Sequence, residues 1–499
     1  MARPNIVVIV TDDQGPWALA CAGYAGLRPG ATSTPEIRTP HLDRLAASGI
    51  RFSSFFCTSP VCSPARASLL TGRIPSYHGV HDWIRDGNGG RQQAIDYLAG
   101  LTAYTDVLAQ AGYRCGLSGK WHLGDSPRPQ KGFSHWYVHQ TGGGPYYNAP
   151  MIRDGVLIEQ PGYVTDAITA EALSYLDAVA PGAADGDPFY LSVHYTAPHS
   201  PWVDNHPPEL VRSYDDCPFA TIPEEPLHPW AIRTAPSGSG RQRREELKGY
   251  FAAVEAMDAG VGRILDRLEA LGLRQSTLVF FTSDNGMNLG HHGIWGKGNG
   301  TFPQNMYDTS VKVPTIISHP GRIPTGVVSD ALLSHYDLMP TLLEYAGLPC
   351  PDADSLPGRS FVRLLAPPVA GEGGGHEYVV ADVAAGEPRV YDEYGPVRMV
   401  RTREWKYVHR YPYGPHELYD LVNDPEEREN LAADAGRQGI RHQLKAELDE
   451  WFVRHADPRR DGTREAVYGK GQLDLAGPAG GGRKAYAADV QPLLAVPPG

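Results

Sequence analysis

The stretch Asn5-Ile-Val-Val-Ile-Val-Thr-Asp-Asp-Gln14 decides the fold class. Its apolar residues, Ile6 to Val10, are continuous rather than alternating, which is typical of a strand buried on both faces of a parallel sheet. The run ends in the polar pair Asp12 and Asp13. The same arrangement recurs late in the chain, where Leu278 to Phe281 leads into Thr-Ser-Asp-Asn-Gly286. The sequence therefore predicts buried strands that end in functional side chains.

Helical segments alternate with such strands along the chain. Three more apolar runs lead toward polar residues, namely Phe52 to Phe56, Tyr113 to Leu117 and Tyr190 to Val193. Capped or amphipathic segments predict helices over Pro40 to Ser48, Asp106 to Gln110, Thr165 to Ala180, Arg244 to Leu271 and Tyr336 to Tyr345. This alternation predicts an α/β fold, with a large, mostly parallel sheet sandwiched by helices. Because ligands of such sheets bind beyond the carboxyl ends of the strands, we expect the polar residues to converge on one site.

Composition excludes several classes of protein. The 499 residues carry a net charge of −12, which argues against a nucleic-acid binder and requires local cations or a metal to hold an anionic substrate. No apolar stretch approaches the ~18 residues of a membrane span. No secretory signal precedes the first strand, so we expect a cytoplasmic protein, with secretion open if a leader was removed. The six cysteines form no CxxC pair and no zinc-binding pattern.

Cys62 begins the run Cys-Ser-Pro-Ala-Arg66. Ser63 suits an N-cap, Pro64 suits the first helical turn and Gly72 suits the end of a helix. Cys62 is thereby predicted at a helix N-terminus, where free N–H groups and the helix dipole attract anions such as sulfate or phosphate. A buried structural cysteine is the alternative on the local pattern alone.

Four oxygen-bearing side chains follow the two strands quoted first: Asp12, Asp13, Asp284 and Asn285. Hard divalent cations prefer several oxygen ligands, and a set without sulfur or imidazole favours Ca²⁺ or Mg²⁺ over zinc. Acidic residues after strands are also common as turn formers, which is the alternative for either pair alone.

The order of motifs along the chain resembles the type I, formylglycine-dependent sulfatases of the alkaline phosphatase superfamily. The matching residues are Asp12, Asp13, Cys62, Arg66, Lys120, His122, His199, Asp284, Asn285 and Lys297. The segments 349–360 and 417–431 resemble the C-terminal region of the same family. The resemblance covers roughly residues 5 to 432.

The resemblance implies that a separate maturation enzyme oxidises Cys62 to formylglycine (3-oxoalanine), whose hydrated aldehyde is the nucleophile. It implies one divalent metal, Ca²⁺ in the first place and Mg²⁺ in the second, held by Asp12, Asp13, Asp284, Asn285 and the modified Cys62. The remaining matching residues receive roles by the same analogy. Lys120, His199 and Lys297 bind sulfate or bridging oxygens, with His199 or Lys297 protonating the leaving alcohol. Arg66 orients the hydrate, and His122 removes a proton when sulfate leaves.

Substrate choice is weakly encoded. Polar and aromatic loop residues tilt the prediction toward a sulfated carbohydrate, and the predicted contacts are His81, Asp82, Trp83, Tyr146, Tyr147 and His292. Ordinary loop packing is the alternative for most of them and the favoured interpretation for His292. One segment, 298–306, departs from the family pattern and resembles a loop inserted after Lys297.

Three parts are predicted along the chain. Residues 1–370 form the catalytic α/β domain, and residues 371–456 form a smaller C-terminal α+β subdomain with a short antiparallel sheet. Residues 457–499 are a tail rich in Gly, Pro and Ala, either disordered or wrapped around a neighbouring subunit, so an oligomer stays open.

The sequence favours metal-dependent hydrolysis of sulfate monoesters, with a sulfated small molecule or glycan as substrate. A phosphonate monoester or phosphodiester hydrolase of the same superfamily is the alternative. A non-catalytic binder of sulfated glycans, with an unmodified Cys62, is a third hypothesis. No nucleic acid and no membrane span are expected.

Overall fold

The computed structural model describes residues 3–22, 36–85, 94–232, 240–366 and 389–487. Short strands run through the whole of this part of the chain. In chain order they are β1 (Asn5–Thr11), β2 (Ile50–Phe52), β3 (Phe55–Phe56), β4 (Arg114–Gly119), β5 (His135–His139), β6 (Tyr147–Arg153), β7 (Val156–Tyr163), β8 (Phe189–His194), β9 (Thr277–Ser283), β10 (Asn288–Leu289), β11 (Trp295–Gly296), β12 (Thr315–Ser318), β13 (Val327–Ser329), β14 (Leu333–Ser334), β15 (Val390–Tyr394), β16 (Val397–Arg401), β17 (Trp405–Arg410) and β18 (Glu417–Asp420).

Ten of these strands form one central sheet, in the order β13-β2-β12-β9-β1-β8-β4-β5-β6-β7. Its middle, from β9 to β5, is parallel throughout, and Val8 in β1 lies between Ser192 in β8 and Phe280 in β9. Antiparallel pairs appear toward the margins, where β12 joins β9 and β2 and where β5, β6 and β7 follow one another. The predicted parallel sheet is confirmed in its centre, and the whole sheet is mixed.

Helices cover both faces of the sheet. They are α1 (Pro40–Ala47), α2 (Cys62–Thr71), α3 (Pro75–His78), α4 (Tyr104–Gln110), α5 (Val164–Ala184), α6 (Pro208–Arg212), α7 (Gly240–Ala270), α8 (Asp308–Val311), α9 (Leu338–Tyr345) and α10 (Gln438–His455). Because successive strand residues point to opposite faces, β1 contributes to two cores. Ile6, Val8 and Val10 pack with α2, α4 and α9, whereas Val7 and Ile9 pack with α1, α5 and α7. Within the described ranges, no helix is long and apolar enough to cross a membrane.

Two local predictions were wrong in detail. Helix α2 begins at Cys62 itself, with Val61 as N-cap, because the hydroxyl of Ser63 is used elsewhere: it donates to the carbonyl of His122 at 2.9 Å. The segment predicted as one strand over Phe52 to Phe56 is divided, since β2 joins the central sheet while β3 pairs with β14.

The C-terminal part contains the predicted short antiparallel sheet, β15-β16-β17-β18, packed against α10. A fully buried ionic cluster joins it to the first part of the chain. There Lys406 of β17 donates to Asp308 of α8 at 2.9 Å and to Glu427 at 2.5 Å. The predicted boundary at residue 370 falls in 367–388, outside the described residues, so the domain limits stay predictions.

The first part of the tail, residues 457–487, packs on its own chain. Gln472 pairs through its backbone with Trp83 and Arg85, and the N–H of Asp457 donates to the carbonyl of Ser76 at 2.9 Å. Of the two alternatives left open for the tail, disorder does not apply to this segment, which packs on the catalytic part of the same chain. Residues 488–499 lie outside the described residues.

Candidate active site

The carboxyl ends of the neighbouring parallel strands β1 and β9 place two acidic pairs together. The N–H of Asp284 donates to the carbonyl of Thr11 at 3.0 Å, and the N–H of Asp13 donates to Oδ1 of Asp284 at 3.2 Å. Asp13 has a left-handed backbone with φ of 63°, a conformation that is uncommon outside glycine and clusters at functional sites. The convergence expected from the sheet topology thus occurs at this edge.

These acidic residues suit a divalent cation. Oxygens of Asp12, Asp13 and Asp284 lie within 4.8 Å of one another, and all three side chains are buried. Within the described part of the chain, the buried oxygens Oδ1 of Asp12 and Oδ1 of Asn285 have no hydrogen-bond partner. Buried acceptors without donors are costly, and a cation ligated by oxygens removes that cost. The donor set therefore fits Ca²⁺ or Mg²⁺.

Cys62 faces this cluster from the first turn of α2. Its side chain is 3% exposed, and Nζ of Lys297 donates to its Sγ at 2.7 Å. Burial opposes ionisation of the thiol, but the charges of Lys120 and Lys297 outweigh it and lower the pKa of Cys62 to about 6. Lys297 lies in the site although the segment 298–306, predicted to be an insertion, follows it directly.

Three cations balance the three carboxylates. Nζ of Lys120 donates to Oδ2 of Asp12 at 2.5 Å, and Lys297 also contacts Oδ1 of Asp13. Nε of Arg66 donates to Oδ2 of Asp284 at 2.9 Å. Although burial raises the pKa of Asp284, Arg66, Lys120 and Lys297 bring it well below the usual range.

Arg66 retains one donor for a ligand. The guanidinium is 2% exposed, and its Nη1 donates to the carbonyl of Lys120 at 3.2 Å. Its Nη2 is buried and has no acceptor among the described residues. A planar donor held in this way suits an anionic oxygen.

His199 lies on the open side of the acidic cluster. Its Nε2 is 3.6 Å from Oδ2 of Asp13, and its carbonyl accepts a hydrogen bond from the hydroxyl of Tyr146 at 2.7 Å. Burial disfavours the imidazolium, but Asp13 and Asp12 outweigh burial and raise the pKa of His199 to about 9. His199 is therefore protonated near neutral pH and able to donate a proton.

His122 is held in one tautomer. Its Nε2 lies 2.9 Å from the carbonyl oxygen of Ile84, so this nitrogen carries the proton. The other nitrogen, Nδ1, is buried without a partner in the described ranges and is left as an acceptor. Gly142 closes over the ring, because a Cβ at that position would lie 2.0 Å from Cε1 of His122. The backbone of His122 is also left-handed, with φ of 57°.

Three predicted substrate contacts are instead occupied by protein groups. His81 and Asp82 are fully buried: His81 Nε2 lies 2.8 Å from the carbonyl of Arg460, and Asp82 accepts from Tyr394 at 2.7 Å and from the N–H of Gly471 at 3.0 Å. Tyr146 is buried as well, and its hydroxyl supports the His199 segment. The geometry does not support direct substrate contact by these side chains.

The other three predicted contacts differ in exposure. Tyr147 is 38% exposed and packs against Tyr163 at 5.4 Å between ring centroids. Trp83 is half-buried and donates to the carbonyl of Gly469 at 3.3 Å. His292 is half-buried and stacks on Tyr307 at 3.8 Å, in agreement with the structural role favoured from sequence. A substrate role for Tyr147 or Trp83 stays a prediction.

Two buried histidines at the site were missed from sequence. Nδ1 of His194 is 3.1 Å from the carbonyl of Lys120 and 3.4 Å from Nη1 of Arg66. Nε2 of His335 is 3.1 Å from the carbonyl of Ser283, next to Asp284. The position of His194 at the end of an apolar run was a usable signal, whereas nothing local marks His335.

Comparison with known proteins agrees with this geometry. The sulfatase family model matches residues 4–348, and the C-terminal model of N-sulphoglucosamine sulphohydrolase matches residues 290–454. The chain belongs to the sulfatase family. It is thereby a sulfuric ester hydrolase, and its residues from 455 onward lie beyond both matched regions.

Several sulfatases are similar to this chain over most of their length. An N-acetylglucosamine-6-O-sulfatase of Bacteroides thetaiotaomicron is 28% identical, with 95% of this chain and 90% of that protein covered. An ulvan-active sulfatase of Formosa agariphila is 30% identical, with coverage of 91% and 82%. A choline-sulfatase of Rhizobium meliloti is also 30% identical, with coverage of 86% and 82%.

Solved structures share the fold of this sulfatase. A structure described in complex with its substrate D-glucosamine-2-N,6-O-disulfate has a TM-score of 0.74 and 25% identity, covering 92% of this chain and 99% of that one. A phosphonate monoester hydrolase from Silicibacter pomeroyi has a TM-score of 0.68 and 20% identity, with coverage of 91% and 96%. The second likeness concerns the fold alone.

Proposed function

We propose that this sulfatase hydrolyses sulfate monoesters of a carbohydrate, with Cys62 converted to formylglycine and one divalent metal in the acidic cluster. Ca²⁺ is the proposed ion, with Mg²⁺ as the second choice. The observation that carries the proposal is the juxtaposition of Cys62 and Lys297 with the unpartnered oxygens of Asp12 and Asn285.

The residues divide into a metal-holding group and a sulfate-holding group. Asp12, Asp13, Asp284 and Asn285 would hold the metal, which when bound supplies Lewis acidity toward sulfate and the nucleophile. Lys120 and Lys297 neutralise anionic oxygens in a site from which water is largely excluded, where such charges are effective. Nη2 of Arg66 offers a further donor to an oxygen of the same group.

Two histidines are suited to opposite proton transfers. His199 is protonated near neutral pH and partly exposed, so it is placed to donate a proton to a departing alcohol oxygen. His122 is neutral, because burial lowers its pKa well below the ordinary value, and its free Nδ1 is able to accept a proton. Different environments thus assign an acid and a base within one site.

A carbohydrate substrate is supported by two of the similar sulfatases, whose names specify an N-acetylglucosamine ester and ulvan. The Gly142–Gly144 segment lies against His122, His199 and His139 and brings no side chain to this side of the site. Polar histidine edges and a side-chain-free wall suit a hydroxylated ring better than an apolar one.

Parallel kinetics test the proposal. The matured enzyme, with formylglycine content measured by mass spectrometry of the Cys62 peptide, is assayed on sulfated monosaccharides, sulfated oligosaccharides, choline sulfate and an aryl sulfate. Phosphonate monoesters and phosphate diesters form the second panel. We expect the highest kcat/KM on a sulfated sugar.

A preference for phosphorus esters would replace the proposal by a phosphonate or phosphodiester hydrolase. A Cys62 peptide found only as thiol after production beside a formylglycine-generating enzyme would indicate the non-catalytic binder. Both outcomes can be distinguished with the two substrate panels and the mass spectrum of the Cys62 peptide, without the natural substrate.

A further inference from the structure

Residues 465–474, here called the C-terminal strap, lie between two segments that adjoin the active site. On one side, Nε2 of Gln304 donates to the carbonyl of Val467 at 2.8 Å, seven positions after Lys297. On the other side, the backbone of Gln472 pairs with Trp83 and Arg85 at 2.8 and 2.9 Å. The strap follows residue 454, the last residue matched by the family models.

Gln472 is fully buried, and its side chain is used completely. Its Oε1 accepts from the N–H groups of His81 at 2.8 Å and Asp82 at 3.4 Å. Its Nε2 donates to the carbonyls of Gly79 at 3.0 Å and Asp474 at 2.9 Å. The side chain of Gln472 thus holds residues 79–82 in place, and its backbone holds Trp83 and Arg85 on either side of Ile84.

That path leads directly to the catalytic groups. The N–H of Ile84 donates to Oγ of Ser63 at 3.0 Å, and Ser63 is adjacent to Cys62. Oγ of Ser63 in turn donates to the carbonyl of His122, and the carbonyl of Ile84 accepts from Nε2 of His122, both at 2.9 Å. The orientation and tautomer of His122 therefore depend on where Ile84 lies.

We propose that Gln472 is a positioning residue for His122 and that the C-terminal strap completes the active site of this sulfatase. The proposal rests on the proposed function, in which Nδ1 of His122 accepts a proton. Gln472 touches neither metal nor substrate and acts through Ile84. The buried side-chain amide of Gln472 makes four hydrogen bonds, two as acceptor and two as donor. A segment that only covers the surface can be buried by apolar packing and does not need such a network.

The test is Gln472→Met in the full-length, matured enzyme, since methionine preserves length and apolar contact but removes all four side-chain hydrogen bonds. We expect kcat on an aryl sulfate to fall about fivefold or more. Loss of the Ile84 acceptor destabilises the imidazolium of His122, so the acidic limb of the kcat profile should move to lower pH by about half a unit. The shape of a pH profile does not depend on the amount of folded enzyme.

A second measurement does not use activity. Hydrogen–deuterium exchange of the His81 and Asp82 amides should accelerate about tenfold in Gln472→Met, because their acceptor is gone. Arg483→Ala is the control: it removes an exposed side chain that pairs with the largely buried carboxylate of Asp474 in the same tail, leaves the Asp474 carbonyl that Gln472 uses, and should change neither readout. Lys120, Arg66 and Lys297, the charged neighbours of His122, are unchanged in every variant.

Gly471→Ala serves if Gln472→Met does not fold. Gly471 has φ of +95°, and an added Cβ would lie 3.1 Å from Trp83 Cε2, so the strap shifts without loss of the Gln472 amide. An unchanged acidic limb would overturn the proposal, whether or not exchange at residues 81–82 is faster. A wild-type enzyme inactive on every sulfate ester would instead refute the proposed function. The exchange data would still show whether Gln472 holds the His81 and Asp82 amides.

Discussion

Nζ of Lys297 lies 2.7 Å from Sγ of Cys62, although the two residues are 235 positions apart in the chain. Lys297 also contacts Asp13, so one ammonium group joins Cys62, the proposed nucleophile position, to the acidic cluster. The charge balance around Cys62 and Asp13 therefore depends on Lys297, a loop residue far from both in the sequence.

Replacement of Cys62 by alanine should abolish turnover, with a loss of at least about a thousandfold in kcat, while the fold is retained. The reason is that no other described residue occupies the nucleophile position. The measurement is kcat on an aryl sulfate together with circular dichroism. Cys57→Ala is the matched control, since Cys57 is also buried but is not activated: burial raises the pKa of its thiol. Full activity of Cys62→Ala would place the nucleophile elsewhere.

Lys297→Met should raise the thiol pKa of Cys62 in metal-free protein produced without the maturation enzyme. In the wild type, alkylation of Cys62 should be half-maximal near pH 6, because Lys120 and Lys297 outweigh burial. With one cation removed, the thiolate loses part of its electrostatic stabilisation while burial still disfavours it. The midpoint of alkylation should therefore move to higher pH. Iodoacetamide labelling of the Cys62 peptide across pH measures this shift. Lys445→Met, on the distant C-terminal helix, should leave the midpoint in place, and an unshifted midpoint in Lys297→Met would contradict the assignment.

Removal of divalent metal should both inactivate and destabilise the protein. Without the cation, Oδ1 of Asp12 and Oδ1 of Asn285 stay buried with no hydrogen-bond partner among the described residues, which is costly. Saturation at a hundred times Kd corresponds to about 2.7 kcal/mol of stabilisation, which thermal unfolding detects. We expect EDTA to lower Tm and Ca²⁺ to restore it at lower concentration than Mg²⁺. Asp284→Asn should reduce the response, and a Tm unaffected by EDTA would argue against a metal here.

Lys406→Met should lower the free energy of unfolding by about 3–5 kcal/mol. Lys406 is completely buried and pairs with both Asp308 and Glu427. Asp308 keeps Arg401 and Lys312 as partners, but the loss of Lys406 leaves the buried Glu427 without its ion pair where the C-terminal sheet meets α8. Urea denaturation at neutral pH measures the change. Arg403→Ala breaks an exposed pair with Asp330 and should cost less than about 1 kcal/mol. Equal effects of the two variants would show that the buried cluster does not hold the subdomain.

Much of the fold was predictable because its signals are local. Continuous apolar runs such as Ile6 to Val10 determine buried strands, and helices between them dictate a largely parallel sheet. The details that failed depend on partners distant in sequence. Serine is a favoured N-cap residue, yet the hydroxyl of Ser63 donates to the carbonyl of His122 and accepts from the N–H of Ile84. Phe55 and Phe56 leave the central sheet because Leu333 and Ser334 pair with them.

The site was predictable to the extent that residue chemistry and topology imply it. The acidic pairs after β1 and β9 had to meet, since the carboxyl ends of adjacent parallel strands share one edge. His335 was not predictable, because its position depends on how the α9 region packs beneath Asp284. The burial of His81 and Asp82 was not predictable for a related reason: the residues that contact them lie more than 300 positions later.

The sequence by itself determined the chemical types present: a cysteine at a helix start, paired carboxylates after buried strands, and lysines and histidines in loops. Those properties follow from side-chain chemistry and hydrophobic periodicity, which act over a few residues. Only the tertiary structure decided that Lys297 neutralises Cys62, that His122 exposes Nδ1 rather than Nε2, and that the tail covers residues 79–85. Such relationships arise from packing between segments far apart in the chain. In the buried interior, electrostatic interactions are stronger and unpaired polar groups are costly, so each group needs a particular partner.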